Sequence, residues 1–146
     1  MTTTTFSTTN ETSTNATSLN ESKAKYAIPA ARFLLAIMFL MSGLTKMGQY
    51  AGTQGYMEMM GVPGALLPVV ILTEVLGALM IIFGFKVRVT ALALAGFSAA
   101  SAILFHNDFS NAAEINNFMK NFTIAGGYLL LFAVGAGPLS LDNRNK

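Results

Sequence analysis

The sequence predicts an all-α integral membrane protein built as a bundle of four transmembrane helices. Three observations carry this reading. Hydrophobic residues make up 53% of the 146-residue chain and charged residues only 11%, a balance outside the range of ordinary soluble domains. The apolar residues gather into stretches at roughly 26–47, 64–85, 89–106 and 118–137, each close to the ~20 residues that a helix needs to cross hydrocarbon. None of them alternates apolar with polar residues, as the strands of a membrane β-barrel would.

The chain divides into a tail, 1–25, and a transmembrane domain, 26–142. Thr, Ser and Asn dominate the tail, which has little to bury and is expected to be disordered and cytoplasmic. Its three formal glycosylation triplets, beginning at Asn10, Asn15 and Asn20, are what a Thr/Asn-rich tract produces by composition. The first apolar run starts too late and runs too long for a signal peptide, so it stays as the first span. Gly61-Val62-Pro63-Gly64 punctuates the entry to the second span, and Gly84-Phe85-Lys86-Val87-Arg88 makes a short hairpin into the third. Ala91, Ala95, Ala99 and Ala102 form a small-residue stripe on the third span, and Gly77, Gly84 and Gly126-Gly127 add further small positions. Such residues let helix backbones approach closely in lipid.

Cations set the expected orientation. With four spans, Lys23, Lys25, Lys86, Arg88, Arg144 and Lys146 fall on one side and only Lys46 and Lys120 on the other. Both termini are therefore expected in the cytoplasm. The two longer loops, 48–63 and 107–117, then lie outside. Tyr56, Met57, Met59 and Met60 surround Glu58 in the first of them. This pattern suits an interfacial helix lying as a lid on the bundle, with a methionine-rich partner surface as the alternative.

The chain has no cysteine and one histidine. Disulfides, thiol redox pairs and iron–sulfur clusters are excluded, and no metal site is expected. Any redox role must use a bound carrier. The lipid bilayer is the expected surroundings, a homo-oligomer is compatible with the sequence, and no nucleic-acid partner is expected.

Candidate functional residues are the ionisable groups inside or beside the spans, because charge in hydrocarbon must be paired, hydrated or put to use. Glu74 lies near the middle of the second span and has no interface to reach. Counting ~1.5 Å of rise per residue from the inferred helix ends puts Arg32 nearer to it in depth than Lys46. The sequence therefore predicts an Arg32–Glu74 ion pair, with snorkelling of Arg32 to the interface as the plain alternative. At the outer ends of the spans, Lys46, His106, Lys120 and Asn121 are expected to form a hydrogen-bonding mouth above Glu74, and Ser42 stands one turn before Lys46 on the same face. Anions or quinone carbonyls suit such donors. The plain reading of the same residues is headgroup anchoring by the lysines and a helix-end role for His106.

Arg32 with Ser42-Gly43-Leu44-Thr45-Lys46, Gly61-Val62-Pro63, Glu74, Phe105-His106, Lys120-Asn121, Gly126-Gly127 and Gly137-Pro138-Leu139-Ser140-Leu141-Asp142 occur in an order that resembles the DoxX family over residues 26–142. The resemblance implies a four-helix inner-membrane protein of bacteria or archaea, related to the DoxD subunit of thiosulfate:quinone oxidoreductase. It also implies a partnership with enzymes of redox or sulfur stress. Three functions follow as expectations. The first is the membrane subunit of a quinone-linked or stress-related redox complex, with a redox-enzyme partner and no tightly bound cofactor other than a quinone. The second is a small proton-coupled transporter using Glu74, which nearby cations would oppose by holding the carboxylate charged. The third is a non-catalytic assembly scaffold.

Overall fold

The computed structural model describes residues 5–144, with side chains from Ser22 onward. The glycosylation triplets and Lys146 thus lie outside the described side chains. The described backbone is helical apart from its turns and loops. In chain order the elements are α1 (Thr5–Gly48), α2 (Tyr50–Met59), a 3-10 turn (Gly64–Leu66), α3 (Leu67–Phe83), α4 (Val87–Phe105), α5 (Ala112–Val134) and the short α6 (Leu141–Arg144). Ser22–Gly48, Gly64–Phe83 and Val87–Phe105 are long and apolar enough to cross a membrane. α5 is also long, but its first turns carry Glu114, Asn116, Asn117, Lys120 and Asn121.

Two boundaries depart from expectation. The backbone helix of α1 reaches back to Thr5 through the stretch expected to be disordered. No Gly or Pro interrupts residues 5–28, so a helix nucleated in the apolar part meets no breaker, and extending it costs far less than starting one. α5 begins six residues before the expected fourth span because Asn111 caps it, its Oδ1 accepting the Ala113 N–H at 2.9 Å.

The long helices close into a ring, α1 packing against α3 and α5, and α4 against α3 and α5. Ala36, Phe39, Ala78, Ile81, Ala91, Leu94, Tyr128 and Leu131 fill the centre. Phe39 meets Tyr128 edge-on, with ring centroids 5.5 Å apart, and the buried Tyr128 hydroxyl donates to the Leu35 carbonyl at 3.1 Å. A phenol so enclosed needs an acceptor, and a helix carbonyl supplies it. Large apolar residues such as Leu34, Leu72, Val89 and Leu130 face outward. With small residues such as Ala36, Ala78 and Ala91 letting the helices close on a few large core side chains, and bulky apolar ones also turned outward, the bundle is arranged for lipid.

One end of the bundle is tied together by the C-terminal segment. α3 stops at Gly84, which takes φ +72, while the Phe85 N–H returns to the Met80 carbonyl at 2.9 Å. This closing pattern favours glycine. Space requires glycine as well, since a Cβ there would lie 2.5 Å from the Ser140 Cβ and 2.7 Å from Arg32 Nη1. The Asp142 carboxylate then accepts from the Lys86 and Val87 N–H groups at 2.7 and 2.9 Å. It supplies α4 with the N-terminal acceptors that its own sequence lacks.

Arg32 belongs to this end and is not paired with Glu74, which corrects the expected ion pair. Its guanidinium is buried and donates to the carbonyls of Ala136, Ile82 at 3.3 Å and Leu139 at 2.8 Å. Arginine's fixed fork of donors suits several carbonyls at once. It serves the orphan carbonyls at the end of α3 and the turn after α5.

Replacing Asp142 with alanine is expected to destabilise the protein by about 1 kcal/mol, the usual value of an N-terminal cap, read as a lower thermal midpoint in detergent. Asp142→Asn, which keeps one acceptor, is expected to lose less.

Candidate functional site

The opposite end of the bundle holds the candidate site, whose register is set by Gly43. A Cβ on Gly43 would stand 2.6 Å from Val75 Cγ2 and 3.3 Å from Glu74 Cβ, so α1 and α3 touch at this level. Ser42 and Lys46, within a turn of Gly43, therefore reach Glu74. Arg32, eleven residues earlier, lies ~16 Å away along α1. This is the physical reason for the change of partner.

Lys46 Nζ donates to Glu74 Oε1 at 2.9 Å and to Ser42 Oγ at 2.6 Å, and Ser42 donates to the same Oε1 at 3.1 Å. Both described bonds to the carboxylate thus fall on one oxygen. Glu74 Oε2 is buried and has no hydrogen-bond partner, which leaves a strong acceptor unsatisfied in a low-dielectric setting. The carboxylate side chain is 5% exposed and the lysine 26%, so the charge is carried inward by Glu74 and outward by Lys46.

His106 closes α4, with its Nδ1 2.6 Å from Glu114 Oε2. Glu114 stands in the first turn of α5, where the helix dipole favours a carboxylate. An ionised carboxylate only accepts, so this contact puts a proton on Nδ1 and directs the other ring nitrogen elsewhere. Lys120 donates to Asn117 Oδ1 at 3.0 Å. Asn121 donates to the Asn117 carbonyl at 3.0 Å, and its own backbone carbonyl accepts from Ser98 at 2.9 Å. Asn121 thereby helps hold α5 to α4.

Two cavities meet at these residues. The first, about 330 Å³, is mainly apolar and lies under α2, with Met57, Leu66, Val70, Leu104 and Phe105 in its wall. The second, about 340 Å³, is more polar and includes Ser42, Asn117, Lys120 and Asn121. Lys46, Glu74, Phe97, Ser101 and His106 line both. The candidates Lys46, Glu74, His106, Lys120 and Asn121 are therefore gathered at one cavity, and Arg32 stands apart. Each volume falls within the ~300–1,000 Å³ usual for small-molecule sites. The arrangement can hold an amphiphile, its apolar part under α2 and its polar part against the lysine, histidine and carboxylate.

α2 roofs the apolar cavity. Met57 is buried, and Tyr56 stacks on Phe105 with ring centroids 5.9 Å apart. Burial, and then the charge of Glu114, push the Tyr56 phenol above its ordinary pKa, so it stays a neutral hydroxyl near neutral pH. Next to the mouth, the Ser110 hydroxyl and N–H hold the exposed Asp108 carboxyl below its ordinary range.

Sequence reasoning missed Glu114, Phe97 and Ser101. Glu114 was legible only as an acid in a loop, though eight residues after the only histidine. Phe97 and Ser101 are one turn apart on α4 and carry no signal separating them from packing residues.

Lys46→Met is expected to destabilise the protein by about 3–5 kcal/mol, because Glu74 would be left charged and buried without its cation. The Lys46→Met/Glu74→Gln double variant is expected to recover much of that loss, which a cycle of thermal midpoints in one detergent would check.

A family model described as DoxX matches residues 27–107. The chain is 53% identical over 112 residues to inner membrane protein YqjF of Escherichia coli (strain K12), covering 77% of this chain and 86% of that one. It is 33% identical over 121 residues to inner membrane protein YphA of the same organism, covering 78% and 86%. No solved structure gives a significant match. With its apolar helices of spanning length, the chain is a multi-pass inner-membrane protein and belongs to the DoxX family.

Proposed function

We propose that this protein is the membrane subunit of a quinone-linked redox complex serving redox or sulfur stress, with the carrier held in the paired cavities. The observation that supports this most directly is the joining of an apolar and a polar cavity at Lys46, Glu74 and His106. A lipid-soluble ring with a long tail needs that division of surfaces. In this reading the ring lies beside Phe97, one oxygen accepts from Lys46, the reduced form donates to His106, and its tail runs beneath α2 past Met57 and Leu104. Quinone chemistry would supply two-electron, two-proton exchange. The protein's part is to orient the ring, exclude water beneath α2 and hold a proton acceptor, His106 backed by Glu114, at the polar edge. With a soluble redox enzyme as partner, the described chain would need no electron-carrying group of its own.

The same proposal takes α5 as a fourth span and places both termini in the cytoplasm. The described cations favour it. Lys23, Lys25, Lys86, Arg88 and Arg144 lie toward the end closed by Asp142, whereas Lys46 and Lys120 lie at the cavity end. The transporter and scaffold readings both use the Glu74–Lys46 pair but give the apolar cavity no occupant.

Since the natural chain has no cysteine, single introduced cysteines report topology cleanly. Ser110→Cys is expected to react with an impermeant thiol reagent added to cells, and Asn143→Cys only after the membrane is opened. The reverse pattern would overturn the orientation.

For the carrier, the test is mass spectrometry of lipids co-purifying in mild detergent. The carrier, as quinone or quinol, is expected with the wild type and is expected to be lost from a His106→Ala preparation of matched thermal stability. A wild type that retains no quinone and takes up none when supplied would remove the redox reading.

A further inference from the structure

The hydrogen-bonding inventory of the cavity carries a finer statement about its ligand. This inference rests on the carrier reading above. Glu74 Oε2 is buried, unpartnered, and part of a residue that lines both cavities. His106 Nδ1 is committed to Glu114, so in the neutral ring Nε2 is an acceptor. Among the described residues it has no protein partner. Oε2 is enclosed by protein, so Nε2 is the acceptor at this site that awaits a donor. On the donor side, Lys46 already spends two of its N–H groups on Glu74 and Ser42, and Lys120 donates to Asn117.

A quinone and its reduced quinol differ in this respect alone among features that the site can read. They share the ring and the tail. A carbonyl oxygen only accepts, whereas a hydroxyl donates one bond and accepts others. Bound quinone would satisfy the remaining N–H of Lys46 but leave His106 Nε2 unmet. Bound quinol can donate to an acceptor and still accept from Lys46. A site built to hydrogen-bond a hydroxyl discriminates strongly against an analogue that lacks it, because the site's own polar groups are then left unpaired.

We propose that the cavity selects the reduced, hydroxyl-bearing form of the carrier, with His106 as the acceptor. Glu114 is a positioning residue that fixes the neutral His106 ring with its proton on Nδ1 and its acceptor at Nε2. The selection is a property of binding and needs no electron acceptor in the chain. One consequence is that the bound couple is harder to oxidise than the free one, since preferential binding stabilises the reduced form.

The test is equilibrium binding of decylubiquinol and decylubiquinone, measured separately and without oxygen, to the purified full chain in one detergent. The wild type is expected to bind the quinol at least about tenfold more tightly, the discrimination that one unmet buried acceptor provides. Glu114→Gln presents an amide that can donate to Nδ1 and move the ring proton to Nε2. In that variant the preference is expected to shrink severalfold, chiefly through tighter quinone binding, because a quinone carbonyl can accept from Nε2–H.

Equal affinities for the two forms, or a preference for the quinone, would overturn the inference while leaving the carrier reading in place. A preference that persists undiminished in Glu114→Gln would overturn the assignment to His106 and Glu114. Failure of both ligands to bind the wild type would remove the carrier reading itself, and this inference with it.

Discussion

The buried carboxylate of Glu74 is the constraint around which the cavity end of the molecule is organised. A charge at that depth costs several kcal/mol unless it is paired and hydrogen-bonded, and Lys46 with Ser42 meets the requirement through a single oxygen. For this to happen α1 must approach α3 to within backbone contact, which Gly43 permits. The register of the two helices, the position of the cavities and the placement of Lys46 at their junction all follow from that approach.

The two ends of the bundle solve different electrostatic problems. At the hairpin end, Arg32 is surrounded by backbone carbonyls and Asp142 by backbone N–H groups. Both charges serve orphan groups of helix ends, so the end is closed and built for stability. At the cavity end, side chains pair with each other, Lys46 with Glu74 and His106 with Glu114, and the neutral His106 ring leaves Nε2 over as an acceptor. Apart from the buried Arg32 Nε, which has no partner, Arg32 and Asp142 spend their hydrogen bonds on the backbone and have little to offer a ligand. The cavity end keeps that capacity.

The lid and the cavity beneath it are linked through the same residues. α2 carries few anchors, chiefly the buried Met57 and the Tyr56–Phe105 stack, and Phe105 adjoins His106. A carrier moving between lipid and the apolar cavity would thus pass beside the helix end that presents His106. Binding under α2 and hydrogen bonding at the polar edge are consequently not independent events.

By itself the sequence determined the membrane class, the family and three of the four spans it predicts, those long and apolar enough to cross a membrane, because these depend on composition, run length and motif order, which are one-dimensional properties. It also singled out the residues whose burial had to be explained: Arg32, Lys46, Glu74 and His106. What only the tertiary structure decided was who meets whom. Depths counted from inferred helix ends carry an uncertainty of several residues, or several ångströms of rise, enough to exchange Lys46 for Arg32 as the partner of Glu74. The contact at Gly43 and the early start of α5, which brings Glu114 to His106, are set by packing between helices and by a cap at Asn111. Neither the close approach nor its register is written in the periodicity of any single helix.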